Sequence, residues 1–189
     1  MKHIGTQRLE TERLILRKVR MEDAEKAFNN WCNSDKVSKY VLWEKHKSVD
    51  ETKALYEIWI KAYEEKDTYR WIVELKDTHD VIGTIDVASK RYLRFNVAEI
   101  GYCYGEAYWN KGYGTEALKA VIKFLFEEVG FEIIFAEHST LNPGSGKVMQ
   151  KSGMKYEGIL RGRIIDKDGI RNDIASYSIT RDEYFKKIR

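Results

Sequence analysis

The chain has 189 residues, 43% of them hydrophobic and 13% aromatic, which is enough for one ordered domain with a sizeable core. Lys and Arg number 33 against 30 Asp and Glu, so no sign of charge dominates as it does in a general nucleic-acid binder. The apolar segments are short and interrupted by charge, and the N-terminus MKHIGTQRLETERL lacks an apolar core region; a membrane span and a signal peptide are not expected, and a cytoplasmic protein is.

Taken in chain order, residues 13–19 (RLILRKV) alternate and predict a first strand. Ala24, Ala27, Phe28 and Trp31 form a helical stripe over residues 21–31, and SDKVSKYVLW from Ser34 predicts a second short helix. Ser48 and Glu51 have the spacing of a capping box and open a longer helix that ends near Lys66. The period then changes to two. Residues 69–75 and 81–88 predict a hairpin, and residues 97–104 the next strand. A bend at 105–109 leads through Asn110-Lys111-Gly112-Tyr113-Gly114-Thr115 into a helix over 115–129, with Ala117, Leu118, Val121, Ile122, Leu125 and Phe126 on its buried side. Residues 133–137 predict a strand, and Asn142-Pro143-Gly144-Ser145 a turn into a short helix over 146–152 that Gly153 stops. Two last strands, 156–165 and 170–180, flank the turn Asp166-Lys167-Asp168-Gly169. There is no linker and no internal repeat, so the order describes a mixed α/β single domain over 1–189.

The strand-turn-helix at 97–120 carries the chemistry. A glycine turn at a helix start leaves backbone N–H groups unpaired at the positive end of the helix dipole, a setting that suits a diphosphate. Gly112 and Gly114 have no Cβ, which allows close approach to the backbone. The turn is not the dinucleotide fingerprint, which needs a third glycine, nor a P-loop, which needs Gly-Lys-Ser/Thr after a four-residue spacer. Cys32 and Cys103 are too few for a disulfide framework, and the four histidines have no metal-ligand spacing, so no metal is expected.

The turn Trp109-Asn110-Lys111-Gly112-Tyr113-Gly114, followed by Asn142-x-x-Ser145 and Lys151-x-Gly153-Met154-x-x-Glu157-Gly158, resembles the GNAT superfamily of acetyl-CoA-dependent N-acyltransferases. The family's turn is Gln/Arg-x-x-Gly-x-Gly/Ala, and Trp109 departs from its first position. Residues 11–17 (TERLILR), Asp23-Ala24, SDKVSKYV and the SVDET helix are similar to the RimJ/RimL-type branch, which includes acetyltransferases of ribosomal-protein N-termini and of small-molecule amines. The resemblance implies a central, mostly antiparallel twisted sheet, splayed in its middle, with helices on both faces.

The resemblance further implies that acetyl-CoA is the cofactor and that an amine, either a small molecule or a protein N-terminus, is the acceptor. The backbone of Tyr102, Cys103 and Tyr104 is expected to pair with the pantetheine amides, and an N–H near Tyr104 to polarise the thioester carbonyl. Lys111, Gly112, Tyr113, Gly114 and Thr115 are expected to hold the pyrophosphate. Asn142 is expected at a pantetheine amide, with an Asx turn as its alternative, and Lys147 at the nucleotide phosphate, with a solvated helix lysine as its alternative. Many family members place a tyrosine acid where this chain has Met149; here Ser145, matching the serine of RimL-type members, is the candidate hydrogen-bond donor to the sulfur, against a helix-cap role. Glu99 is the candidate general base, against an exposed strand residue, with Asp86 as second choice. Trp31, Tyr40 and Trp43 are candidates for an amine pocket or for core, and Arg91, Tyr92 and Arg94 for a rim. Met149 keeps alive a second function, a non-catalytic CoA-binding sensor; an RNA-associated factor rests only on the slight basic excess. No nucleic acid or membrane partner is expected, and homodimerisation is left open.

Overall fold

The computed structural model describes residues 1–188. They form one sheet in the order β1-β2-β3-β4-β5-β6-β8-β7. Its strands are β1 (Leu9–Glu10), β2 (Leu14–Arg17), β3 (Arg70–Leu75), β4 (Val81–Val87), β5 (Val97–Tyr104), β6 (Ile133–Ser139), β7 (Lys155–Ile165) and β8 (Arg171–Thr180). The helices are α1 (Ala24–Ala27), α2 (Asp35–Ser38), α3 (Val49–Ala62), α4 (Tyr113–Phe124), α5 (Pro143–Lys151) and α6 (Arg181–Ile188). Among the described residues no helix is long and apolar enough to cross a membrane.

Helices cover both faces. α4 lays Ala117, Leu118, Val121 and Ile122 on one face, where they meet Leu14, Leu16, Trp71, Ile85, Ala98, Ile100 and Ile134. The helix continues as a π-turn, Leu125–Val129, that keeps Leu125 and Phe126 buried before Gly130 ends it at φ 89°. On the other face α1, the π-turn Phe28–Cys32 that follows it and α3 bury Ala24, Ala27, Trp31 and Tyr56 against Ile72 and Val81. Trp71 and Tyr69 are fully enclosed, with Phe124 edge-on to both at 5.7 and 6.2 Å. Each such side chain contributes roughly 1.5–3 kcal/mol through burial, so the sheet is rigid where α4 crosses it.

The sequence expectations meet four differences. The helix expected from Ser34 is one turn, Asp35–Ser38, because Ser34 caps Val37 N–H and only Val37 and Ser38 of that turn point inward, while Leu42 beyond it is exposed. α5 starts at Pro143 rather than Gly146: the proline occupies the first turn, where its missing N–H costs nothing, and Asn142 caps it. Residues 90–95, between two strands, coil into a 3₁₀ helix. β1 and α6 carry no hydrophobic period of their own; α6 is held by Tyr184, whose ring lies 5.2 Å from Phe126.

One junction positions everything that follows. β5 pairs with β6 in parallel only over Val97–Glu99 against Ile133–Phe135. Beyond that β5 stays with β4 as far as Tyr104, and β6 stays with β8 as far as Ser139. The sheet therefore splits between Ile100–Tyr104 and Ala136–Ser139, with Glu99 on the last shared rung.

Candidate active site

Alternation fixes what the split exposes. Gly105 donates its N–H to Ile82 C=O, and Glu99 C=O accepts from Ala88 N–H, so the odd residues of β5 turn their backbone groups toward β4. Tyr102 and Tyr104 turn theirs into the gap. The carbonyl of Tyr104 is capped there by the Trp109 indole N–H at 2.7 Å. Cys103, expected to offer its backbone with its neighbours, has its N–H and C=O committed to β4 opposite Thr84. Its side chain packs instead on the α1/α3 face.

The gap widens into a cleft of about 360 Å³. Its walls include Tyr102, Cys103, Tyr104, Gly112, Tyr113, Gly114, Thr115, Asn142, Ser145 and Lys147, so most of the expected cofactor residues meet in one place. Tyr40 also lines it, whereas Trp31 is core at 3% exposure.

At the mouth, Gly112 takes φ 84° as the residue before α4, a left-handed conformation that disfavours any side chain. The first helical bond is Glu116 N–H to Gly112 C=O at 3.0 Å. The amides of Tyr113, Gly114 and Thr115 precede it and have no acceptor among the described residues, which leaves three donors at a helix start for an anion. Gly114 serves packing more than access: a Cβ there would lie 3.2 Å from the Tyr104 ring and 3.5 Å from Val148. Lys111 does not line the cleft; its ammonium lies over Tyr108 at 5.9 Å, and Lys147 is exposed at the cleft edge.

The turn is braced by residues that precede β2. Arg13 pairs with Glu116 at 2.7 Å, donates to Lys111 C=O at 3.1 Å and lies 4.6 Å over the Tyr113 ring. Thr11 donates its hydroxyl to the same carboxylate at 2.6 Å. Burial pushes Glu116 up, but these donors outweigh it and hold the carboxyl below its ordinary value. A carboxylate in the first turn of α4 would compete with an anionic ligand; here it is neutralised and occupied. Sequence reasoning missed this brace, although an acid in the first helical turn was its visible signal.

At the inner end, α5 presents its N-terminus. The Asn142 side chain accepts from Ser145 N–H at 3.4 Å, so in this state the asparagine acts as a helix cap. The Ser145 hydroxyl lies 2.8 Å from the Tyr102 phenol oxygen, which also donates to Ser145 C=O at 2.9 Å. Met149 turns away into the core.

Glu99 is not in this cleft. Ala98, Ile100, Tyr102 and Tyr104 pack toward α4, whereas Glu99, Gly101 and Cys103 project to the opposite face. Half-burial pushes the Glu99 carboxyl above its ordinary value, reinforced by Glu137 and opposed by Arg91. Asp86 is held by Arg70 at 2.7 Å, yet burial still raises its carboxyl. Tyr92 packs edge-on against Phe135 at 5.2 Å on that side. Ser145 and Glu99 thus occupy opposite faces of the sheet, with Glu99 on the last rung that β5 and β6 share.

Residues 13–155 match the model of the acetyltransferase (GNAT) domain. An uncharacterized N-acetyltransferase, YoaA, of Bacillus subtilis (strain 168) is 33% identical over 175 residues, covering 92% of this chain and 96% of its own. The crystal structure of a GNAT-family acetyltransferase from Bacillus anthracis superposes with a TM-score of 0.81 at 28% identity, covering 94% of this chain and all of the other. The fold is also that of the microcin C7 self-immunity acetyltransferase MccE, solved with acetyl-CoA and AMP, at a TM-score of 0.79, 18% identity and coverage of 90% and 93%. A split sheet with a free-amide turn at its mouth, and a family match across most of the chain, lead to one conclusion: this chain belongs to the GNAT acetyltransferases, enzymes that use acetyl-CoA.

Proposed function

We propose that this enzyme acetylates a primary amine, either a protein N-terminus or a small molecule, as a member of the RimJ/RimL-type branch. The observation that carries the reading is the parting of β5 from β6 beyond Glu99, which leaves a cleft walled by the edge of β5, the turn before α4 and the start of α5.

The cofactor supplies a thioester, an acyl group already activated for attack. The amides of Tyr113, Gly114 and Thr115 bind its pyrophosphate, and Lys147 offers a cation nearby. Tyr102 and Tyr104 offer edge amides to the pantetheine in place of a missing strand. Tyr104 N–H faces the gap and is placed to stabilise negative charge on the thioester oxygen, an effect worth roughly 3 kcal/mol in acyl transfer. Ser145 donates a hydrogen bond to the sulfur as its bond to carbon breaks. Glu99 takes the proton that the amine must lose, and its raised affinity for protons suits it to that task.

Acetyl-CoA-dependent thiol release with a panel of peptides and small amines tests the proposal. Turnover with any amine supports it; tight cofactor binding with no turnover across the panel would establish the sensor reading, which the buried Met149 favours. Glu99→Gln is expected to lower kcat/KM about tenfold near neutral pH. The deficit should shrink as pH rises toward the amine's own pKa, because an amine already neutral in solution needs no base. A deficit independent of pH would remove Glu99 from proton transfer.

A further inference from the structure

Tyr102 makes two contacts with Ser145, and they are not equivalent. A phenol has one proton, and a carbonyl only accepts. The 2.9 Å contact to Ser145 C=O therefore commits the Tyr102 hydrogen. Either oxygen can donate across the 2.8 Å contact; while the phenol hydrogen is on the carbonyl, it is the Ser145 hydroxyl that donates to the Tyr102 oxygen. In this resting arrangement the serine hydrogen points at the phenol and not into the cleft. Yet Ser145 C=O lies inside α5, where the helical pattern already gives it the N–H of Met149. The phenol hydrogen is thus a second donor to a satisfied acceptor and is free to turn to Oγ.

We propose that Tyr102 is a positioning residue for acetyl transfer: by rotating its hydroxyl from Ser145 C=O to Ser145 Oγ it releases the serine hydrogen toward the departing sulfur. The inference rests on the role proposed above for Ser145. Donation into Oγ also polarises the serine O–H, so the hydrogen bond to sulfur strengthens as charge grows there. Burial holds the phenol above its ordinary value, so it remains a protonated donor across the neutral range. The electron count is simple. Glu99 takes one proton from the acceptor ammonium, the freed lone pair forms the C–N bond, the C–S pair leaves on sulfur, and the second proton of that nitrogen passes to water. Ser145 and Tyr102 exchange hydrogen bonds without either losing a proton, and the thiolate is protonated by solvent on release.

Tyr102→Phe deletes the hydroxyl and keeps the ring. It is expected to lower kcat about five- to tenfold while acetyl-CoA affinity, read by calorimetry, stays within about twofold. Ser145→Ala is expected to lower kcat by more, and Tyr102→Phe added to it should cost nothing further. Ser145→Thr, which keeps a hydroxyl, should retain most of kcat and remain sensitive to Tyr102→Phe. Parental kcat in Tyr102→Phe with a slow Ser145→Ala overturns the positioning role alone. Losses that multiply in the double variant, or a loss of affinity with no loss of kcat, also overturn it. Parental kcat in Ser145→Ala removes the role of the serine itself, and the inference with it.

Discussion

Gly112→Glu is expected to weaken acetyl-CoA binding about a hundredfold or more. Two effects add. Gly112 sits at φ 84°, where a side chain costs on the order of 1–2 kcal/mol and is relieved by letting the turn move. The new carboxylate would also lie at the start of α4, beside the amides of Tyr113, Gly114 and Thr115. It would take up those donors and repel a pyrophosphate, for about 2 kcal/mol more. Together these exceed ~2.7 kcal/mol, the free energy of a hundredfold change. Arg13 does not rescue the variant. Its Nη2 would lie 3.3 Å from the added Cβ, but it already pairs with Glu116, and turning to the new carboxylate would release Glu116 into the same helix turn. Gly112→Ala separates the two effects, since it carries the strain without the charge; about a tenfold loss is expected. Calorimetric titration of the parent and both variants with acetyl-CoA measures both steps. Parental affinity in the glutamate variant would take this turn out of the binding site.

The turn and strand edge proposed to hold the cofactor are legible in the sequence because they are built from backbone. A strand, a glycine turn and a helix follow one another over 97–124, and local spacing fixes where their amides point. The buried stripe of α4 was legible for the same reason, since helical period and burial coincide. Contacts between distant segments were not. Tyr102 and Ser145 are 43 residues apart, Arg13 and Glu116 103, and no local pattern records either pair. The split between β5 and β6 is also non-local: both strands read as ordinary apolar runs, and only pairing shows that they part after Glu99. Resemblance to a family supplied that feature, not hydrophobic period. Cys103 marks a finer limit. A strand edge was expected to offer three consecutive residues to a ligand, but a strand can turn only every second residue toward one neighbour. Ser34 to Trp43 misled because Tyr40, which lines the cleft, shares a helical spacing with Val37, which is buried.

Arg17→Met is expected to destabilise the fold by about 3–5 kcal/mol while leaving the cleft intact. Arg17 is 8% exposed and grips Asp23 through both guanidinium NH₂ nitrogens at 2.7 Å, and Glu74 through Nε at 2.6 Å. Methionine restores much of the volume but strands two buried carboxylates. Asp23 keeps a backbone partner, the N–H of Arg20 at 2.8 Å; among the described residues Glu74 keeps only His79, on its other oxygen, at 2.7 Å. Against a typical total of about 5–15 kcal/mol the loss is a large fraction, and it should appear as a markedly lower urea midpoint. The pH dependence identifies the cause. Burial pushes Glu74 up, but hydrogen bonds from His79 and Arg17 outweigh it, so its folded pKa lies below the ordinary 4.5. In the parent this carboxylate therefore contributes stability that is complete above its unfolded pKa and lost as pH falls through the folded value. Without Arg17 the burial effect gains the upper hand and the folded pKa moves upward. The variant then takes up a proton at Glu74 more readily when folded than the parent does, and its deficit narrows as pH falls from 7 toward 5. A deficit that stays constant over that range would mean lost packing, not stranded charge, and a midpoint equal to the parent's at pH 7 would mean that water solvates both carboxylates in the folded state.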